Sequence, residues 1–376
     1  MYRKGFPIWL LAVLGCLNFV LVNCSGDERV VESTEVEPVP SFTPQEITSF
    51  DHVGEVYFSF LGINSFATSG GDFILPVWDP ALLLKIDSEG KKVIAQTTQG
   101  RGPGEITDIG IPKQGNGAVY VFDFNQHKGL IFDEDKLQLI DEFNIDNVKG
   151  YYVSRTHPPF KNGEIVVEAR NTGWRRNEKS GTILIKYNLK TETYGDSVKL
   201  NARRYIPLGD LIGSGYGSAI QLPFGDDQYI EYKDESKTML LFDSSTDVIA
   251  EVDENFDTLK AIKIDLPIER LTEAEKDTFR VKEDFSTKDW RSVEPELPKF
   301  KAVVSAVKYH NNEIWLKSNL RGTNDVWFIV NMEGKITKKV RLPKDSYLTH
   351  ISEWHLGVRL NDYTFALYEY PKESKH

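Results

Sequence analysis

Short apolar runs broken by polar clusters recur along most of this chain, and the cleanest instance is Ala118 to Phe143, AVYVFDFNQHKGLIFDEDKLQLIDEF. Val119, Val121 and Phe122 form one β-branched and aromatic run that closes on Asp123-Phe124-Asn125-Gln126. Gly129-Leu130-Ile131-Phe132 forms a second, Asp133-Glu134-Asp135-Lys136 breaks it, and Leu137, Leu139 and Ile140 begin a third. The pattern predicts three strands and two turns. A three-strand meander cannot bury both of its faces alone, so the pattern also predicts neighbours of the same kind.

Those neighbours are marked by a recurring punctuation, a hydrophobic residue followed by Asp or Asn and then a polar turn. It occurs at Ile86-Asp87, Phe132-Asp133, Tyr187-Asn188, Val252-Asp253 and Val330-Asn331. Asp and Asn hold tight turns through their side chains and tolerate left-handed backbone. The spacing between marks widens from 46 residues (87 to 133) to 78 (253 to 331). A unit of about 40 to 50 residues with four strands is the signature of a β-propeller. Leu348 to Tyr370 supplies three further strands without a fourth, while Glu46 to Val56 offers a lone strand near the start. Pairing the two completes a last blade and leaves no long edge. The expected fold is therefore all-β, a six-bladed β-propeller of four-stranded antiparallel blades, its last blade closed by an N-terminal strand. Seven blades is the alternative, with Arg203 to Gln228 holding a degenerate one. The widest gap holds an insertion: Leu271 to Phe285 predicts a short helix with Thr272 and Glu275 as a capping box, and Ser286 to Pro298 reads as a polar, irregular loop.

Ahead of the repeats, Arg3 and Lys4 precede the apolar stretch Phe6 to Val22, the pattern of a secretory signal over residues 1–23. Leu21-Val22-Asn23-Cys24 resembles a bacterial lipobox, which makes Cys24 the expected lipidation site. Val13-Leu14-Gly15-Cys16 fits the box in residue type, but cleavage there leaves Leu17 to Val22 on the mature chain. Ser25-Gly26-Asp27-Glu28 is similar to the acidic export tag of Bacteroidetes surface lipoproteins. Residues 24–48 are rich in Glu, Pro, Ser and Thr, the composition of a flexible tether, and residues 49–376 form the propeller. The two cysteines, Cys16 and Cys24, both lie ahead of the repeats, so the propeller domain has no internal disulfide and no cysteine-based site.

The segment Asp87 to Phe132, with Gly90, the run Gly100-Arg101-Gly102-Pro103-Gly104-Glu105, then Val119 to Asp123 and Gly129 to Phe132, resembles the NHL-type six-bladed propeller lipoproteins of Bacteroidetes. The similarity is specific over residues 70 to 145 and architectural beyond them. It implies a propeller fold and a cell-envelope location, as an outer-membrane lipoprotein, more than any activity.

A formal net charge of -11 opposes a nucleic-acid footprint, which needs a basic stripe. Gly100 to Glu105 brings glycine amides and Arg101 together, yet it has neither a phosphate-loop spacing nor a following helix, so an inter-blade turn is the simpler reading. The loop Arg170 to Asn177, with Trp174, Arg175 and Arg176, is cationic and aromatic, and Arg203 and Arg204 follow one blade later. Guanidinium forks beside an indole face suit a carboxylated or neutral sugar or a peptide acid. Histidines 52, 127, 157, 310, 350, 355 and 376 show no metal-site spacing, and His350 and His355 fall out of phase for one strand face. No metal and no cofactor are expected. Asp79, Glu105, Asp123 and Glu168 are strand-end carboxylates, with Asp123 better explained as a turn cap. Trp78, Trp315 and Trp327 read as packing between blades.

The function these features define is non-catalytic: a lipid-anchored envelope propeller that binds or scaffolds a glycan, a peptide or an envelope protein. A carbohydrate-active hydrolase or lyase using channel carboxylates is the alternative.

Overall fold

The computed structural model describes residues 39–148, 150–171, 181–200, 205–208 and 218–371. Cys24, Trp174, Arg175, Arg176, Arg203 and Arg204 lie outside them.

Six blades, each built on four antiparallel strands, follow one another along the chain. Blade 1 holds Phe66–Ala67, Phe73–Val77, Leu82–Ile86 and Val93–Gln96. Blade 2 holds Lys113–Gly115, Ala118–Asp123, Lys128–Asp133 and Leu139–Asn144, so the Ala118 to Phe143 meander is its last three strands. Blade 3 runs from Tyr152–His157 through Ile165–Asn171 and Gly181–Asn188 to Thr193–Leu200, and blade 4 from Gln228–Lys233 through Thr238–Asp243 and Val248–Val252 to Thr258–Lys263. Blade 5 comprises Val304–His310, Glu313–Ser318, Asn324–Asn331 and Ile336–Pro343. Blade 6 takes Tyr347–Ile351, His355–Arg359 and Phe365–Glu369 from the C-terminus and Glu46–Phe50 as its outermost strand. The closure expected from the sequence is thus the observed one. Between Leu200 and Gln228 the described residues form a single two-stranded hairpin, Tyr205–Leu208 with Ser218–Gln221, and not a seventh blade.

All five Asp/Asn marks occupy one structural position, the turn from the third to the fourth strand. In each turn the side-chain oxygen accepts two backbone N–H groups: Asp87 from Lys91 and Lys92, Asp133 from Asp135 and Lys136, Asn188 from Lys190 and Thr191. Asp253 accepts from Asn255 and Asp257, and Asn331 from Glu333 and Lys335. Each turn also places one residue in left-handed backbone, namely Gly90, Leu137, Glu192, Phe256 and Gly334. The acceptor satisfies amides that the reversal leaves without strand partners. Blade 6 carries no such mark because its fourth strand comes from the other end of the chain.

The core is divided in the same way. Each neighbouring pair of blades shares one apolar cluster: blades 1 and 2 through Ile74, Leu83, Val119 and Leu130, blades 5 and 6 through Trp315, Trp327, Leu356 and Val358. The ring closes through Phe73 and Leu84 of blade 1 against Phe365 and Leu367 of blade 6. Trp315 and Trp327 are buried there, as packing requires, whereas Trp78 stacks on Phe60 at 5.0 Å and is partly exposed.

Two features depart from expectation. Ser286 to Pro298 is not irregular: after the helix α1 (Glu273–Lys282) it forms a second helix, α2 (Thr287–Val293), and a short 3-10 turn. Its periodicity is too short to read, but Ser286 caps it and Trp290 and Val293 supply a buried edge against Ile206 and Leu222. Sheet pairing also begins upstream of residue 49. Ser41–Phe42 adds a parallel fifth strand to blade 5 beside Lys339 and Val340, before Glu46–Phe50 crosses to blade 6.

Candidate functional site

The ends of the innermost strands open into a cavity of about 580 Å³ at one mouth of the central channel. Five blades line it, through Ser65 and Phe66 of blade 1, Lys113 and Gln114 of blade 2, Glu231, Tyr232, Asp234 and Glu235 of blade 4, Lys308 to Asn311 of blade 5 and Thr349 to Trp354 of blade 6. The beginnings of the strands of blades 4 to 6 line a second cavity, about 1000 Å³, with Phe279 and Glu283 on its wall.

Two lysines cross the channel from opposite sides. Lys308 Nζ donates to Asn64 Oδ1 at 2.9 Å, and Lys113 Nζ donates to the Ile230 carbonyl at 2.9 Å with Glu231 at 3.6 Å. Burial, with the like charges of Lys113 and Arg155, pushes the Lys308 ammonium down to about 8. Among the described residues no carboxylate lies within ion-pairing distance of Lys308. Arg155, on the inner strand of blade 3, meets Glu168 at 3.3 Å, and Arg170 meets the same carboxylate at 2.6 Å. Burial pushes Glu168 up, but the two guanidinium groups outweigh it and hold its carboxyl well below the usual range. His157, wholly buried, lies 3.3 Å from Glu168.

His350 and His355 sit on adjacent strands of blade 6, and their rings meet edge to face at 5.2 Å. A same-strand spacing rule could not find this pair. His350 Nδ1 bonds Ser65 Oγ at 2.6 Å, which in turn bonds Thr349 Oγ1 at 2.5 Å. Gly357 makes room for the ring, since a Cβ there would lie 2.2 Å from His350 Cε1. Among the described residues Nε2 of His310, His350 and His355 has no hydrogen-bond partner, and no group of His, Cys, Asp and Glu could hold a metal.

Three carboxylates at the mouth are engaged as hydrogen-bond acceptors. Glu134 accepts from Gln114 Nε2, Asp234 from the Asn116 amide, and Glu235 from the Tyr309 hydroxyl. Of the strand-end carboxylates, Asp123 is fully buried and accepts from Thr107 N and Oγ1, Asn125 N and Gln126 N. It is the turn cap its sequence position suggested. Glu105 performs the same task in the glycine loop: its Oε2 accepts the Gly102 amide at 2.6 Å, and Glu142 accepts the Gly104 amide at 2.8 Å. A Cβ on Gly100 would lie 2.1 Å from Glu105 Oε2, so the loop needs glycine for close approach. Carboxylates occupy the amides that a phosphate would need, and Arg101 is exposed on this loop away from the channel mouth.

The fold and this polar central channel define a six-bladed β-propeller. No family model matches the chain, and no curated protein matches it significantly. Among solved structures it is similar to an inferred exported protein of Bacteroides fragilis NCTC 9343, at 10% identity and a TM-score of 0.50, over 89% of this chain and 100% of that one. A member of the DUF4221 family from Bacteroides vulgatus is 9% identical with a TM-score of 0.46, over 89% and 96%. BamB from Moraxella catarrhalis is 12% identical with a TM-score of 0.36, over 84% of each chain. At these identities the likeness is one of fold.

Proposed function

We propose that this chain is a lipid-anchored cell-envelope propeller that binds a glycan, a peptide or a partner protein without catalysing a reaction. The observation that carries the reading is the mouth of the channel. It is open and polar, large enough for a small ligand, and its Glu134, Asp234 and Glu235 are engaged as acceptors rather than poised as an acid and base pair. Trp354, 63 % exposed at its edge, adds an aromatic face of the kind that sugars and peptides stack on. Trp174, Arg175, Arg176, Arg203 and Arg204 extend the contact in this reading, whereas Arg101 stands on a separate loop, and the leader, lipobox and acidic tag support a place at the outer membrane.

Arrays of glycans and short peptides, probed with wild type and Trp354→Ala, test the binding reading: a hit weakened severalfold by the substitution supports it, and the absence of any binder overturns it. Metabolic labelling with a fatty-acid analogue tests the anchor, with loss of label in Cys24→Ala expected.

A further inference from the structure

The channel mouth has a polarity along its depth. Lys308 and Lys113 line its inner part, with the charge of Arg155, itself paired with Glu168, felt at Lys308, and with Glu231 acting on Lys308 and lying 3.6 Å from Lys113. Asp234, Glu235 and Glu353 are exposed in the turns that follow the inner strands of blades 4 and 6, at the rim. A ligand that satisfies both ends carries a negative group inward and a positive group outward. Overall charge separates this class from plain anions: a chain at -11 repels an acidic polymer at long range but not a neutral zwitterion.

We propose that the mouth of the channel binds the free carboxyl end of a short peptide, the carboxylate seated on Lys308 and Lys113 and the chain leading out past the acidic rim. This rests on the binding reading above and narrows it. Lys308 is suited to the seat because the acceptor it meets among the described residues, Asn64 Oδ1, is neutral and takes one of its three donors. A carboxylate arriving there makes charge-assisted bonds in a site sheltered from water. The Tyr232 and Tyr309 rings, lining the mouth above it, offer apolar faces to the residue before the terminus.

The seat has a protonic signature. Burial pushes the Lys308 ammonium down to about 8, and it faces Asn64 from blade 1, Lys113 from blade 2, Arg155 from blade 3, Glu231 from blade 4 and His350 from blade 6, with His310 on its own strand. A bound carboxylate favours the charged amine, so binding at pH 8 takes up a proton and affinity falls by up to about tenfold per unit as pH rises beyond that.

Isothermal titration of the full chain with trialanine, trialanine amide and N-acetyl-trialanine, in two buffers of different ionisation enthalpy at pH 8, tests this. Trialanine is expected to bind at least tenfold more tightly than its amide, with proton uptake, and Lys308→Met is expected to bring it to the level of the amide. The acetylated peptide, which keeps its carboxylate, is expected to lose less than the amide. Circular dichroism of Lys308→Met checks that the ring is intact, and Lys113→Met serves as a second variant. Equal binding of acid and amide, or trialanine binding unchanged in both variants, overturns the carboxylate seat. Binding of glycans alone overturns it while leaving the propeller a binding module; no binder of any class removes both.

Discussion

At the residue scale, burial of titratable groups beside the channel sets how the fold responds to acid. Burial first, then the charges of His355, Lys308 and His310, hold His350 well below its ordinary value of 6.5. His157, His310 and His355 are lowered as well, each chiefly by burial. In the unfolded chain these imidazoles take up protons near 6.5, whereas the folded chain keeps them neutral to lower pH. The unfolded state therefore binds more protons as pH drops below 6.5, and stability falls until the folded values are reached. Each histidine contributes at most about 1.4 kcal/mol per pH unit in that window. Glu168, lowered from 4.5, adds to the loss only at lower pH. Urea midpoints at pH 7 and pH 5 are expected to show the loss, and His350→Phe to reduce it, because the ring contact with Phe73 survives and Ser65 keeps Thr349 as a partner. An identical pH response in the variant counts against His350 as a source.

At the element scale, the excursion between blades 4 and 5 is built apart from the ring. No residue of helix α1 is fully buried; it is held by its capping box, by Lys301, which pairs Glu275 at 2.9 Å and Glu269 at 3.0 Å, and by Phe279, which packs on Phe285 and Trp290. Thr272→Ala removes both hydrogen bonds of its hydroxyl, accepted from the Glu275 amide and donated to the Glu275 carboxylate, and costs about 1 kcal/mol of helix stability. Hydrogen exchange is expected to speed up over Glu273–Lys282 with no change in the strands of blades 1 to 3; a uniform rise across the ring contradicts this separation. The capping box was legible from Thr272 and Glu275 alone, because a cap is a local pattern. Helix α2 was not, since its Trp290 and Val293 acquire meaning only against Ile206 and Leu222, far away in sequence. The same contrast governs the site. The five turn marks could be read because each Asp or Asn bonds amides within five residues, but Lys308 meets Asn64 across 244 positions of sequence. A lysine inside the apolar run Val304–His310 was the one local hint of a charge turned into the channel.

At the scale of the whole molecule, a closed ring has six interfaces between blades, and the one between blades 6 and 1 depends on a segment from the other end of the chain. Phe50 supplies its apolar lock: its ring packs on Phe365 at 5.7 Å, Phe58 at 6.0 Å and Phe73 at 6.3 Å, and lies where a Cβ on Gly90 would reach within 2.6 Å. Thr48, Ser49 and Phe50 also cover the outer edge of Phe365–Glu369. Phe50→Ala is expected to cost about 3 kcal/mol, at the lower end for a large aromatic because the ring is only partly buried. A chain starting at residue 51 loses more than packing, since it bares a strand edge that another molecule can pair with. Such a chain is expected to melt well below one starting at residue 39 and to associate as its concentration rises, read by calorimetry and by light scattering. Phe50→Ala keeps the backbone pairing, so it is expected to lower the melting temperature without association. If the two shortened chains melt together and both stay monomeric, the ring is held by its other five interfaces and the crossing strand is an ornament on blade 6 rather than its closure.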